Sequence, residues 1–309
     1  MELVRINKEN AKEYKNKMAG SVAILGEFDG LHQGHMGLIN KCINISTKRN
    51  LKMAVVTFYP HPDYVLKKRN FSGYLTPFSY RNELLESYGF DYLFIVEFNK
   101  ELSQMSYRDF YDIFLKDFST LVVGYDYRFG KDGAGNFNKL TEIHDQVYVV
   151  PSIDFDEQKI SSQRIRELLK NGDIKRANYL LGRNYKISGI VLRGKQIGRT
   201  ISFPTANLDI ADDYYRVGPG VYVVIGKIDG KKYLGFANYG NNPTISACNP
   251  NTFEVHFFDF KGNIYGKNID VMFIDKLRDE KHFNSIEELK KQLEVDMKIT
   301  KKLYEGIEK

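Results

Sequence analysis

Short apolar runs alternate with helical patterns through the first half of the chain. Val22–Gly26, Met53–Phe58, Tyr92–Glu97, Leu121–Gly124 and Val147–Val150 are brief and rich in Val, Ile and aromatics, which predicts buried strands. Helices are predicted between and after them, over His35–Arg49, Ser79–Tyr88, Ser106–Lys116 and Ser161–Lys170. Ser106 and Asp109 have the spacing of a capping box, as do Ser285 and Glu288. Strand–helix alternation implies a parallel sheet covered on both faces.

The pattern changes near Leu181-Gly182-Arg183-Asn184. Tyr185–Leu192, Val221–Ile228, Tyr233–Ala237, Thr252–Phe260 and Ile269–Ile274 follow as strands with little helix between them, punctuated by Asp229-Gly230 and Lys261-Gly262-Asn263. An antiparallel barrel or sandwich is expected. A last helix over 285–307 places Ile286, Leu289, Leu293, Met297, Tyr304 and Ile307 mostly on one face. The expected domains are 1–183 and 184–309.

Composition narrows the class. The 309 residues are 42% hydrophobic and 27% charged, which excludes wholesale disorder. The net charge of +6 suits small anionic ligands and is too diffuse to argue for nucleic acid or a membrane. No run approaches a membrane span, and the charged N-terminus predicts no secretory signal. Cys42 and Cys248 stand far apart, which fits a reducing, cytoplasmic setting. With no Trp, the 21 Tyr and 21 Phe must supply aromatic packing.

Two stretches carry chemistry. The first is Gly26-Glu-Phe-Asp-Gly30-Leu-His32-Gln-Gly34-His35, after the first strand and opening the first helix. Its glycines permit close backbone approach, a helix N-terminus offers amides to phosphate, and two imidazoles can donate to developing negative charge. A Gly-rich turn with two solvent histidines is the plainer reading. A histidine metal pair lacks a third ligand nearby. Pro60 and His61 sit in a stiff loop after a strand, and Asp126 just past another; ordinary turns read the same way. Ser161-Ser162 with Arg164 and Arg166 forms either a cationic helix start or a plain cap with surface arginines.

The second stretch is Gly194-Lys-Gln-Ile-Gly198-Arg-Thr-Ile-Ser-Phe-Pro204-Thr205-Ala-Asn207. Arg199 and the small residues can line polyphosphate. In an extended segment Thr205 and Asn207 point the same way, and their oxygens are hard ligands suited to Mg²⁺. A long barrel loop is the plainer reading.

In their order along the chain these stretches resemble a known family. GEFDGLHQGH is similar to the HxGH motif of the nucleotidyltransferase superfamily, which shares its phosphate site with class I aminoacyl-tRNA synthetases. With Thr57–Pro62, Leu75-Thr76, Arg81, Val123–Gly130 and Ile160–Arg166, the first half resembles the N-terminal module of bacterial bifunctional riboflavin kinase/FMN adenylyltransferases. The Pro204-Thr-Ala-Asn207 tetrapeptide, Gly218–Tyr222, Ala237–Gly240, Glu254-Val-His256 and Leu277-Arg278 with Phe283 resemble the kinase module.

The resemblance implies a Rossmann-like α/β nucleotidyltransferase domain followed by an antiparallel β-barrel with a C-terminal helix. It implies two ATP-dependent steps, riboflavin to FMN and FMN to FAD with release of pyrophosphate. Glu254 takes the family's catalytic base, and Thr205 and Asn207 take the magnesium ligands. In the first domain, His32, His35, Ser162 and Arg164 take catalytic places. Gly26, Phe28, Asp29, Gly34, Asp126, Arg166, Gly198, Arg199 and Ser202 take nucleotide contacts, and Pro60, His61, Arg278 and Phe283 take flavin contacts. The implied cofactor is Mg²⁺ with ATP; riboflavin, FMN and FAD are substrates and products. A monomer or weak homo-oligomer in the cytoplasm, binding neither nucleic acid nor membrane, is expected. The family usually has Thr at Gln163 and commonly Gly at Ser202, where a required positive φ would cost about 1 kcal/mol. A related enzyme, or a homologue in which only one step is active, is the alternative.

Overall fold

The computed structural model describes residues 1–66, 72–193, 203–210, 212–241 and 251–305. Its contacts divide the chain into two units, Met1–Ser72 with Thr76–Ser162, and Gly73–Leu75 with Gln163–Lys309. The small piece joins the second unit through main-chain bonds between Tyr74 and both Asp213 and Tyr215.

In the first unit, strands β1 (Glu2–Ile6), β2 (Ser21–Leu25), β3 (Lys52–Tyr59), β4 (Tyr92–Glu97) and β5 (Thr120–Gly124) come first in the chain. A small hairpin pairs β6 (Arg128–Phe129) with β7 (Gly135–Asn136), and β8 (Val147–Val150) follows. A second hairpin pairs β9 (Asp154–Phe155) with β10 (Gln158–Lys159). The main sheet runs β1-β4-β3-β2-β5-β8 and every pairing in it is parallel.

Parallel sheets bury both faces, so β2 reads SVAIL and is buried at every position. Ala23, Leu25, Val56 and Val123 pack with Phe110 and Phe114 on one face. Val22, Ile24, Val55 and Val122 pack with Leu38, Ile39 and Leu85 on the other. β8 departs from the buried strand expected over Val147–Val150. It lies at the sheet edge with β5 as neighbour, and Val149 is 37% exposed.

In the second unit β11 (Lys186–Leu192), β12 (Ala206–Asp209), β13 (Gly220–Ile228), β14 (Lys231–Asn241), β15 (Asn251–Phe257) and β16 (Asn268–Arg278) close an antiparallel barrel. The order β11-β12-β15-β14-β13-β16 returns to β11, so no edge is left unpaired. Aromatics fill it in the absence of Trp: Phe253 stacks on Phe273 at 5.6 Å, and Tyr222 and Tyr239 meet those rings edge-on.

The helix Ile286–Glu305 lays Leu289, Leu293 and Met297 on Phe203, Val221, Phe236 and Phe258. Ile286 was expected on this face but is 54% exposed, because it opens the helix and has no preceding turn beneath it. Ile307 lies outside the described residues. Both capping boxes form with changed partners. Asp109, a methylene shorter than Glu, takes the Ser106 hydroxyl at 2.6 Å. Glu288 reaches one residue further back, to the Asn284 amide at 3.0 Å.

Inside this helix Asp296 is 1% exposed and holds Arg278 through Nε at 3.0 Å and Nη2 at 2.8 Å. Gln292 adds a third donor at 2.8 Å. Removing one partner of a buried pair leaves the other charge uncompensated. Asp296→Ala should therefore destabilise the chain by about 3 kcal/mol. Urea denaturation followed by circular dichroism measures this, and Asp296→Asn should recover part of the loss.

Candidate active sites

The order of the parallel sheet reverses beside β2: β3 and β4 lie to one side, β5 and β8 to the other. Loops leaving the two sides diverge at the carboxyl ends and open a crevice. A cavity of about 380 Å³ lies there, walled by residues of β3 and by residues that follow β2, β5 and β8.

The turn after β2 is strained. Phe28 and Leu31 hold φ of 51° and 38°, conformations rare for side-chain-bearing residues. Buried bonds fix it: the Thr76 amide donates to Asp29 Oδ1 at 3.0 Å, and the Gly30 amide to Thr76 Oγ1 at 2.8 Å. Asp29 thus braces the turn.

The chain next enters the helix Gln33–Arg49 with His32 at its N-cap, and no side-chain hydrogen bond caps it. The His32 and His35 rings stack at 3.8 Å, and both border the crevice. Gly34 permits this, since a Cβ there would lie 2.9 Å from the His32 ring and 3.0 Å from the Ile160 carbonyl.

Gly26, Phe28, Gly34, Asp126, Ser161 and Ser162 are also in the wall. Ser162 donates its hydroxyl to the Asp29 carbonyl at 2.7 Å, which ties a second helix start to the turn. Asp126 pairs with Lys159, whose ammonium lies over Tyr125. Among the described residues Pro60 and His61 are not in this wall; His61 Nδ1 accepts the Asp63 amide at 3.1 Å. Gln163, Arg164 and Arg166 are in the helix Ser162–Lys170 and are counted with the second unit. There Gln163 donates to Glu167 at 2.8 Å, and Arg166 lies over Tyr215.

The second unit has a cavity of about 350 Å³, walled by Thr205, Asn238, Glu254 and His256 and by Arg278, Phe283 and the final helix. Strand register builds its polar floor. Glu254 pairs with Asn238 and with Asn207, so the three side chains leave one face of the barrel; Glu254 and Asn238 line the cavity and Asn207 does not. Burial pushes the Glu254 carboxyl above its ordinary range, and a Thr205 hydrogen bond partly offsets this. His256 lies among Phe203, Phe236 and Phe258 with Nδ1 2.8 Å from the Pro204 carbonyl. Burial lowers its pKa, which leaves the ring neutral to donate and pin that loop. Arg278 is committed to Asp296 and lies over Phe283. Gly198, Arg199 and Ser202 lie outside the described residues.

The oxygens of Thr205 and Asn207 are hard donors. Among the described residues no group of three or more His, Cys, Asp or Glu could hold a metal ion. That set fits Mg²⁺ shared between a few protein oxygens and phosphates, rather than an all-protein cage.

A switch-point crevice at a helix start and a barrel cleft with a buried carboxyl define a two-site protein of the nucleotide-handling class. Comparison with known proteins specifies it. The FAD synthetase family model matches residues 14–164, and the riboflavin kinase model matches 181–304. The bifunctional riboflavin kinase/FMN adenylyltransferase of Bacillus subtilis is 35% identical over 96% of each chain. The protein of that name from Listeria monocytogenes is 36% identical over 93% of each. A crystal structure from Streptococcus pneumoniae titled macrolide-efflux protein superposes with a TM-score of 0.88, at 31% identity over 97% of this chain and 99% of that one. No helix among the described residues is long and apolar enough to cross a membrane. The chain belongs to the family of bifunctional riboflavin kinases/FMN adenylyltransferases.

The sequence missed the Asp29–Thr76 brace, which joins residues far apart in the chain. It also missed Asn238 as a member of the floor, because β14 extends beyond the apolar run that marked it. Asp29→Ala strands the buried Thr76 amide and should lower stability by about 1–3 kcal/mol. Thermal unfolding checks this, and an unchanged transition would remove the brace.

Proposed function

We propose that the chain makes FAD in two ATP-dependent steps, phosphorylating riboflavin to FMN in the module of residues 184–309 and adenylylating FMN in that of 1–183. The observation that carries this is the presence of two clefts, each built within one unit, one walled by Gly26, Phe28, His32, Gly34, His35 and Ser162 among others, and the other by Thr205, Glu254, Arg278 and Phe283 among others.

In the barrel, Glu254 accepts the proton of the ribityl 5′-hydroxyl as that oxygen attacks the γ-phosphate. Its raised pKa makes it a stronger base than an exposed carboxylate, and the Thr205 bond orients it. Thr205 and Asn207 would hold Mg²⁺, which supplies neutralisation of charge on the transferring phosphoryl group. His256 positions the loop that carries Thr205.

In the α/β unit the nucleophile is the phosphate of FMN. It is already an anion and needs no protein base. An FMN oxygen bonds to the α-phosphorus of ATP as the bond to pyrophosphate breaks. The enzyme's work is alignment and charge stabilisation, by the helix start at Gln33, the His32–His35 pair and Ser162. Arg164 and Arg166 add positive charge, and Gly26, Phe28, Gly34 and Asp126 shape the nucleotide seat. Gly198, Arg199 and Ser202 are assigned to the kinase nucleotide. Phe283 and Arg278 are assigned to the flavin of the barrel, and Pro60 and His61 to that of the crevice. The setting is the cytoplasm, the chain a monomer or weak homo-oligomer.

Glu254→Gln should lower riboflavin phosphorylation at least 100-fold, the order expected for a lost general base. Conversion of supplied FMN to FAD should continue. Chromatography of flavins after incubation with ATP and Mg²⁺ reads both steps, and equal loss of both would refute the division. His32→Ala with His35→Ala should give the opposite result, with FMN accumulating from riboflavin. Undiminished FAD from that double variant would remove the crevice assignment.

A further inference from the structure

One polar group in the crevice has no role in the chemistry above. Glu27, in the strained turn after β2, belongs to the wall, yet both carboxyl oxygens are closed to solvent and meet no hydrogen-bond partner among the described residues. The guanidinium of Arg81, itself 1% exposed, donates Nη1 to the Glu27 carbonyl at 2.7 Å and leaves Nε without a partner. A buried polar group left unmet costs free energy that the fold recovers only when something meets it. Phosphate fits poorly, because any ionisation of a carboxyl beside it adds repulsion. A carboxyl with both oxygens unpaired, once its side chain turns into the crevice, instead matches a flat heterocycle that offers a donor next to an acceptor. Phe58, Phe110 and Tyr127 in the same wall provide apolar surface for such a ring.

We infer that Glu27 is a specificity-determining residue of the adenylyltransferase crevice, reading the donor–acceptor edge of a planar ring: the N3–H and carbonyls of the flavin, or the amino group and N1 of adenine. The inference rests on the function proposed above.

Burial raises the Glu27 carboxyl to about 8 against the opposing pull of Arg81, with Asp29 and Asp63 adding to the rise. Tyr127, whose hydroxyl is pushed up by burial, faces it as well and stays neutral. The acid is therefore neutral at pH 7 and can both donate and accept. As pH rises through about 8 it ionises and loses its donor.

The test measures KM for FMN and for ATP in FAD formation started from FMN, so that only the crevice is read. Glu27→Leu should raise KM roughly tenfold for one substrate and leave the other within about twofold, as for one lost buried hydrogen bond. A rise for FMN identifies the flavin edge, and a rise for ATP the adenine edge. Glu27→Gln keeps one donor and one acceptor and should recover most of the loss. The wild-type chain tests the same point without mutation: the affected KM should climb between pH 7 and 9 and stay flat in Glu27→Gln. An unchanged pair of KM values in Glu27→Leu, an equal rise in both, or matching pH profiles would overturn the assignment. If the wild-type chain forms no FAD from FMN, the reading of the site falls; if it does and KM is unmoved, the role of Glu27 alone falls.

Discussion

The first unit depends on one constraint: the strands of a parallel sheet must leave β2 in opposite directions. That reversal opens a crevice that hydrophobic packing cannot fill, and it brings the turn after β2, the last residues of β3 and the loops after β5 and β8 to one place. The turn must then hold a conformation its residues resist. Phe28 and Leu31 accept positive φ because Asp29, Thr76, Gly30 and Ser162 lock the main chain around them. Strain at the site is balanced by hydrogen bonds buried just behind it.

The barrel reaches a comparable end by other means. Its closure fixes register, and register alone sets Asn207, Glu254 and Asn238 side by side. The helix Ile286–Glu305 covers that face with Leu289, Leu293 and Met297, so the carboxyl lies in a partly apolar cleft and its basicity rises. Buried Asp296 in the same helix anchors Arg278 at the rim. Covering helix and Glu254 carboxyl are two parts of one device, since burial that stabilises the barrel also raises the pKa of the acid.

Most of the fold was legible in the chain because its signals are local. Apolar runs located β2 to β5 within a residue or two, and the change of pattern after residue 181 announced the barrel. β1 and β12 escaped notice because each is short and mixes polar with apolar residues. For the candidate sites, residue types at fixed spacing allowed phosphate and metal roles at the HxGH turn and at Thr205 with Asn207, and the resemblance to the family chose those roles over plain loops. What spacing cannot convey is the partner of a side chain. Asp29 reads as a ligand for nucleotide and serves as a brace. Glu27 reads as an unremarkable acid between Gly26 and Phe28, and only its burial without a hydrogen-bond partner marks it.

The central claim is that one polypeptide holds two separate nucleotide sites. Isothermal titration of the whole chain with a non-hydrolysable ATP analogue, in saturating Mg²⁺, riboflavin and FMN, counts them directly. Two nucleotides bound per chain is the predicted stoichiometry. A stoichiometry of one would contradict the account.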